Sequence, residues 1–193
     1  MNPRKTDSGG DMETQSLYDL VAGMEARNKE VWSGTFDGVD YEIQNFAFGK
    51  AGDPKDKWTF YLYIHLERIP EGADDWWLAP RYDDKNRTHY DYYESPLTGI
   101  EWHGGITWYS KETGADDKRR VIKAGCDFQH YWDEGHQYRV QDVKMEVIKA
   151  IQSFRRIVPG YRYWCPWNGQ LHDPSQVKAQ QSGRYSCECQ SKP

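Results

Sequence analysis

The chain has 193 residues and a formal net charge of −5, and 15% of its residues are aromatic, with nine Trp and fourteen Tyr. This length fits a single domain. The acidic balance argues against generic duplex DNA binding, which needs clustered Lys and Arg to neutralise phosphates, and no apolar run approaches the ~18 residues of a membrane-spanning helix.

Polar residues 1–13 predict a disordered N-terminal tail without the apolar core of an export signal. The four cysteines in the chain are too few for a disulfide scaffold. We therefore expect a cytoplasmic protein with reduced cysteines and no membrane partner.

The first half of the chain predicts one helix and three strands. Apolar residues at helical spacing predict a helix from Thr14 or Ser16 to about Lys29. The Asp37-Gly38 pair is typical of a tight hairpin turn between strands 31–36 and 41–48. Residues 58–66 are apolar at nearly every position, which predicts a central strand covered on both faces.

The second half begins with the segment 68–96, which has little periodicity, and we interpret it as an ordered excursion over one end of the sheet. Residues 99–109 and 121–128 predict two further strands, joined by the charged loop 110–120. Apolar residues at helical spacing then predict a helix over 142–157, ended by Pro159-Gly160.

This order predicts an α+β fold with a mostly antiparallel sheet of about five strands. An N-terminal helix and a long C-terminal amphipathic helix should pack on the sheet. We expect one domain over residues 14–160, followed by a C-terminal extension, 161–193, that is aromatic first and then polar and loose.

Two short motifs indicate a site. In the first, His103-Gly104-Gly105-Ile106-Thr107, two glycines interrupt a predicted strand, which is typical of a bulge or of close approach by a ligand or another backbone. Exposed glycine amides beside a histidine can hold an anion. A structural bulge with a packed histidine explains the motif equally well.

The second motif contains Asp127, His130 and Asp133, spaced three residues apart. Pairing of the two predicted strands would bring Asp127 to His103, where it could orient the imidazole. The candidate ligand-binding residues are therefore His103, Gly104, Gly105, Thr107, Asp127, His130 and Asp133.

Three chemistries fit these residue types. Asp127, His130 and Asp133 could ligate a divalent metal. His103 and His130, with Asp127, could perform acid–base catalysis on a phosphate ester. A hydrogen-bonded network that only fixes the loop is the third interpretation.

A second group with metal-ligand character lies in the C-terminal extension. Cys165, His172, Cys187 and Cys189 could form a zinc knuckle, although only Cys187 and Cys189 are closely spaced. Incidental thiols in a loose tail are the alternative.

At these motifs the chain resembles a set of small uncharacterised proteins of tailed bacteriophages. The matching positions are Ile69-Pro70-Glu71-Gly72, the first motif from His103 to Thr107, the second motif beginning at Gly125, and the helix 142–154. Many members have a cysteine after the first aspartate of the second motif, whereas this chain has Phe128 there and Cys126 on the other side. The resemblance implies a phage accessory product and supplies no reaction.

Several functions follow as hypotheses. The leading one is a phage-encoded accessory protein in the host cytoplasm that counters a host defence by binding a small phosphorylated or nucleotide ligand, or a host protein. One alternative is a small phosphoester or nucleotide hydrolase, with or without a divalent metal. A minor structural protein of the virion is the other.

Overall fold

The structure is a computed structural model that describes residues 27–48, 55–70, 96–113, 120–187 and 189. Its main feature is a five-stranded antiparallel sheet in the order β1-β2-β3-β5-β4. The strands are β1 (Arg27–Phe36), β2 (Val39–Phe48), β3 (Lys55–His65), β4 (Trp108–Thr113) and β5 (Arg120–Asp127). One helix, α1 (Val140–Ile157), follows the sheet, so the predicted α+β arrangement of a five-stranded antiparallel sheet with a helix is confirmed.

The first hairpin is formed as predicted. Phe36 pairs with Val39, which leaves Asp37 and Gly38 as the two turn residues. Both have positive φ, 45° and 74°. Two positive φ values in a two-residue turn match the right-handed twist of the flanking strands, so the hairpin closes without splaying.

Strand β3 is central, as predicted, because it pairs with β2 on one side and with β5 on the other. Its two faces differ, however. Phe60, Leu62 and Ile64 are completely buried, whereas Tyr61 and Tyr63 on the opposite face are half-buried and hold Lys123 over their rings. The prediction of a strand covered on both faces was therefore wrong. The two tyrosines make the second face look apolar in the sequence, but their rings are only partly buried.

Helix α1 begins two residues before its predicted start. Asp142 accepts the backbone N–H of Arg139 at 2.9 Å and so satisfies one of the free amides at the helix start. Val143, Val147 and Phe154 are buried and belong to the same hydrophobic cluster as the buried residues of β3. Within the described ranges, no helix has the length and apolar character needed to cross a bilayer.

The prediction of a strand over residues 99–109 was wrong for most of that range. Residues Pro96–Gly99 form a short 3₁₀ helix, Gly104 and Gly105 have positive φ, and strand pairing begins only at Trp108. Positive φ at two successive residues is incompatible with an extended ladder. The first motif therefore lies in a loop that precedes β4.

Parts of the remaining predictions fall outside the described residues. These include most of the N-terminal helix, although residues 27–29 at its predicted end belong to β1. Residues 71–95 of the predicted excursion and 114–119 of the charged loop also lie outside the described ranges.

The C-terminal extension forms two short hairpins instead of a loose tail. The first pairs β6 (Tyr163–Cys165) with β7 (Gln170–His172), and the second pairs β8 (Val177–Ala179) with β9 (Tyr185–Cys187). A backbone bond from Asp37 N–H to Gly183 C=O at 3.0 Å attaches the extension to the β1–β2 turn. A second, from Arg162 N–H to Arg68 C=O at 2.7 Å, attaches it to the 3₁₀ turn that follows β3.

Candidate functional site

The site is organised around the carboxylate of Asp133, whose side chain is only 4% exposed. Oδ1 lies 2.8 Å from Nε2 of His103 and accepts the hydroxyl of Tyr138 at 2.6 Å. Oδ2 accepts the backbone N–H of His130 at 2.9 Å and lies 3.2 Å from Nδ1 of the same residue. One buried carboxylate thus contacts four hydrogen-bonding groups from three residues.

These contacts determine the charge of Asp133. Burial alone would raise the pKa of its carboxyl, but the hydrogen bonds from Tyr138, the His130 amide and His103 outweigh burial and hold the pKa below its usual value. Conversely, burial and the bond to this carboxylate raise the pKa of Tyr138 to about 12. At neutral pH the pair is therefore a carboxylate and a neutral phenol.

The ionised carboxylate also determines which ring nitrogens carry protons. An ionised carboxylate only accepts hydrogen bonds. The nitrogens facing it, Nε2 of His103 and Nδ1 of His130, must therefore be donors. In the neutral rings, Nδ1 of His103 and Nε2 of His130 then carry the lone pairs that could accept a proton or bind a metal.

Aromatic packing fixes both imidazoles. The His103 ring stacks on Phe128 at a centroid distance of 4.0 Å, and the His130 ring stacks on Trp132 at 4.7 Å. Phe128 in turn contacts Tyr138 edge to face at 4.9 Å. The rings are thus held by packing as well as by hydrogen bonds, which preorganises them.

The two glycines of the first motif have different roles. A Cβ atom on Gly104 would stand 2.2 Å from Cε1 of His130, so only glycine permits the close approach of this ring. Gly105 has a φ of +105° and open space around it, so it is required by its backbone conformation instead. Both residues are exposed, and neither amide has an acceptor among the described residues.

The structure brings together only some of the predicted site residues. Ligand atoms of His103, His130 and Asp133 all lie within 4.8 Å of one another. Asp127 is not part of this group. Its Oδ1 accepts the Gln129 amide at 3.1 Å, and in the described part of the chain no ion pair joins it to His103. The prediction that Asp127 orients His103 was therefore wrong, and Asp133 is the carboxylate that contacts this imidazole.

The difference from the sequence interpretation has a local cause. Because pairing starts at Trp108, His103 lies before the ladder and cannot face Asp127 across it. The 3₁₀ turn Tyr131–Asp133 folds the Asp133 carboxylate back onto His130. Thr107 is exposed, and its amide donates to Gly125 C=O at 2.9 Å, at the edge of the sheet.

Beside the cluster lies a surface groove of about 860 Å³. His130 and Asp133 line it together with residues of β3, the segment after β5, the 3₁₀ turn and the segment before α1. These are Lys57, Trp58, Phe128, Gln129, Tyr131, Glu134, Gly135, His136, Gln137, Tyr138 and Arg139. Tyr131 is 89% exposed and the neighbouring Trp132 is 58% exposed. The groove thus combines aromatic surface, two basic and two acidic side chains, and an oriented histidine.

Sequence reasoning did not find Tyr138, Trp58 or Lys57. Tyr138 follows Asp133 by five residues, a spacing with no regular structural meaning in a loop. Trp58 and Lys57 come from the start of β3, some seventy residues away in sequence, and only the pairing of β3 with β5 brings them to the second motif.

The cluster has the residue types of a divalent-metal site. His103, His130 and Asp133 could each offer one ligand atom, which is a combination that zinc accepts. However, both oxygens of Asp133 are already engaged by hydrogen-bonding groups. A metal bound by this carboxylate would have to displace some of them, so as it stands the cluster is a satisfied hydrogen-bond network.

Comparisons of the chain with protein-family models, with curated proteins and with solved structures find no match.

Proposed function

We propose that the groove beside His130 binds a small phosphorylated ligand, with a nucleotide as the leading candidate. The observation that carries the proposal is the Asp133 carboxylate, which orients the His130 ring at the wall of an open groove. An imidazole held in one tautomer and one orientation is a preorganised partner for a polar ligand.

The groove offers complementary chemistry for both parts of a nucleotide. Lys57 and Arg139 line it and would face the phosphate charge. The exposed Tyr131 ring provides a flat surface on which a base could stack. Gly104 packs against the His130 ring, and its amide could donate to a phosphate oxygen.

Calorimetric titration tests the proposal with inorganic phosphate, mononucleotides, dinucleotides and cyclic nucleotides as probes. We expect at least one nucleotide to bind, and His130→Asn to weaken that binding at least tenfold. Asp127→Asn is the matched control, because Asp127 lies outside the cluster, and it should bind like the wild type. Absence of binding at millimolar concentration for the whole panel would refute the proposal.

A second candidate function is hydrolysis of a phosphoester or nucleotide. It is favoured by the Asp133–His130 pair, since a carboxylate that orients an imidazole is a common acid–base arrangement. Release of phosphate or nucleoside from the bound ligand, with a loss of about 10²-fold or more in His130→Asn, would support hydrolysis. Stoichiometric binding without turnover, with or without added divalent metal, would leave binding as the function.

The biological setting that we propose rests on the resemblance to phage proteins. In that setting the protein acts in the host cytoplasm as an accessory factor against a host defence, either through the ligand or by docking its acidic surface on a basic host protein. Capture of one host protein from lysate, retained by His103→Asn, would support docking. Presence of the chain in purified particles would instead support a minor virion component.

A further inference from the structure

We propose that Cys165, His172, Cys187 and Cys189 form a structural zinc site that joins the two C-terminal hairpins. This site is separate from the groove and does not depend on the proposed ligand. Ligand atoms of the four residues all lie within 4.8 Å of one another. Three thiolates and one imidazole are a standard ligand set for structural zinc.

The hairpins bring the ligands together in pairs. In the first hairpin Cys165 ends β6 and His172 ends β7, and the register that pairs Tyr163 with His172 and Cys165 with Gln170 places both ligands on one face. In the second, Cys187 ends β9, and Cys189 lies two residues farther along the chain. Each hairpin thus contributes two ligands.

The distances between the ligands of the first hairpin and those of the second are close to those of a tetrahedral site. Sγ of Cys165 lies 3.1 Å from Sγ of Cys187 and 2.9 Å from Sγ of Cys189, and Sγ of Cys189 lies 3.9 Å from Nε2 of His172. Ligand atoms around tetrahedral zinc are roughly 3.6–3.8 Å apart, given Zn–S near 2.3 Å and Zn–N near 2.0 Å. The Cys165 contacts therefore need to widen by less than about 1 Å.

The competing interpretation is a disulfide, since the structure joins Cys187 to Cys189. Cys187 ends the second hairpin and Cys189 follows it after a single residue, so this bond constrains little of the chain. It also leaves unexplained why the buried thiol of Cys165 and the ring of His172 converge on the same point. A zinc ion uses all four groups and ties one hairpin to the other.

The need for such a link follows from the small apolar content of this region. Among the side chains described between residues 162 and 187, a range from which Ala179 is left out, the buried hydrophobic ones are Tyr163, Cys165 and Cys187. None of the three belongs to the main hydrophobic cluster. Hairpins with strands of three residues are marginal by themselves, and small units with few buried side chains usually depend on a metal or a cross-link.

One polar contact would change on metal binding. The side-chain amide of Asn168 lies 3.3 Å from Nε2 of His172 and also 3.3 Å from Oε1 of Gln170. The lone pair of Nε2 would go to the metal, and the amide would keep its bond to Gln170. Metal binding would therefore leave none of these polar groups without a partner.

The test uses the full-length protein kept reduced with a phosphine. Oxidation of the phosphine to its oxide, with one water, supplies the two electrons that convert a Cys187–Cys189 disulfide into two thiols. Zinc binding then releases the thiol protons to the buffer. Elemental analysis should give about one zinc ion per chain, and substitution with Co²⁺ should give the visible bands of a tetrahedral site together with thiolate-to-cobalt charge transfer.

Variants show which residues hold the metal. Cys165→Ser and Cys189→Ser should reduce the zinc content to near zero, whereas Cys126→Ala, the remaining cysteine of the chain, should keep it. His172→Asn should weaken Co²⁺ binding at least tenfold, and His130→Asn should not change it. The second comparison separates this site from the His103–His130–Asp133 cluster.

Three outcomes would overturn the proposal. One is metal that is lost in His130→Asn and kept in Cys165→Ser. Another is a reduced wild-type protein with four titratable thiols that gives no tetrahedral Co²⁺ spectrum. The third is a Cys187–Cys189 disulfide that persists in the purified protein and re-forms in the presence of excess zinc. The wild-type spectrum decides the question even if the cysteine variants fail to fold.

Discussion

Gly104 and His130 lie so close that a Cβ atom on the glycine would stand 2.2 Å from Cε1 and 2.3 Å from Nε2 of the imidazole. The glycine of the first motif therefore makes room for the histidine of the second. This contact explains how the two motifs lie side by side even though strand pairing does not align them.

We predict that Gly104→Ala displaces the His130 ring. The new methyl group cannot coexist with the ring, and alanine is also strained at a φ of +69°. The imidazole resonances of His130 should shift in NMR spectra, and ligand affinity in the groove should fall at least tenfold.

Gly105→Ala is the matched control for this substitution. It introduces comparable backbone strain, at a φ of +105°, but its Cβ meets nothing within 4 Å. Both variants should lose some stability, on the order of 1 kcal/mol or more. If Gly105→Ala shifts the His130 resonances as much as Gly104→Ala does, the steric explanation is wrong.

A second prediction concerns Asp133→Asn. The substitution keeps the shape of the side chain but removes a buried charge that accepts hydrogen bonds, and an amide nitrogen would face at least one donor. We expect a loss of about 3 kcal/mol in the free energy of unfolding. Urea titration measures this loss.

Asp127→Asn controls for the loss of one acidic charge. Its side chain is half-buried, and an asparagine oxygen can still accept the Gln129 amide. The expected cost is about 0.5 kcal/mol or less. Equal losses in the two variants would contradict the central position of Asp133 in the network.

The lowered pKa of Asp133 predicts how the stability of the fold depends on pH. Because the folded-state pKa of Asp133 lies below its usual value of 3.8, this carboxyl stabilises the fold fully above that value. The contribution is lost as the pH falls through the lower folded-state pKa. The difference in unfolding free energy between the wild type and Asp133→Asn should be constant above about pH 5 and should shrink below about pH 4. A difference that already disappears between pH 7 and pH 5 would assign the effect to another group.

Much of the sheet could be predicted because its signals are local. The Asp37-Gly38 turn and the apolar run of β3 each depend on neighbouring residues, and the predicted hairpin turn and the central position of β3 were both confirmed. The faces of β3 were harder to predict, because Tyr61 and Tyr63 are apolar enough to suggest burial yet remain half exposed under Lys123.

The candidate site was predictable as a set of residues but not as a set of contacts. His103, His130 and Asp133 were all proposed and do converge. Their contacts depend on a loop and a 3₁₀ turn, and no periodic pattern in the sequence predicts the geometry of either. The sequence therefore favours Asp127 as the carboxylate that orients His103, whereas the structure places Asp133 there. The contribution of Tyr138 depends on the same loop.

A further prediction isolates Tyr138. Its hydroxyl donates to Asp133 at 2.6 Å and is part of the reason why the pKa of that carboxyl is lowered. In Tyr138→Phe we expect the pKa of Asp133 to rise and stability to fall by about 1.5–3 kcal/mol, the usual contribution of a hydrogen bond to a charged group. Carbon-13 NMR titration of the aspartate carboxyls measures the first effect. Tyr131→Phe, which removes a hydroxyl from a side chain that is 89% exposed, should change neither quantity.

The last prediction concerns the surface on which a nucleotide base would stack. Tyr131 lines the groove with its ring almost fully exposed, so Tyr131→Ala should leave the stability within about 0.5 kcal/mol of the wild type. The same substitution should weaken nucleotide binding by about 1–3 kcal/mol, the usual cost of removing one stacking partner, and should not affect binding of inorganic phosphate. Trp108→Ala is the matched control, because Trp108 is 52% exposed on β4 and does not line the groove. Equal weakening in both variants would place the base elsewhere on the surface, whereas a loss confined to Tyr131→Ala would place it beside His130.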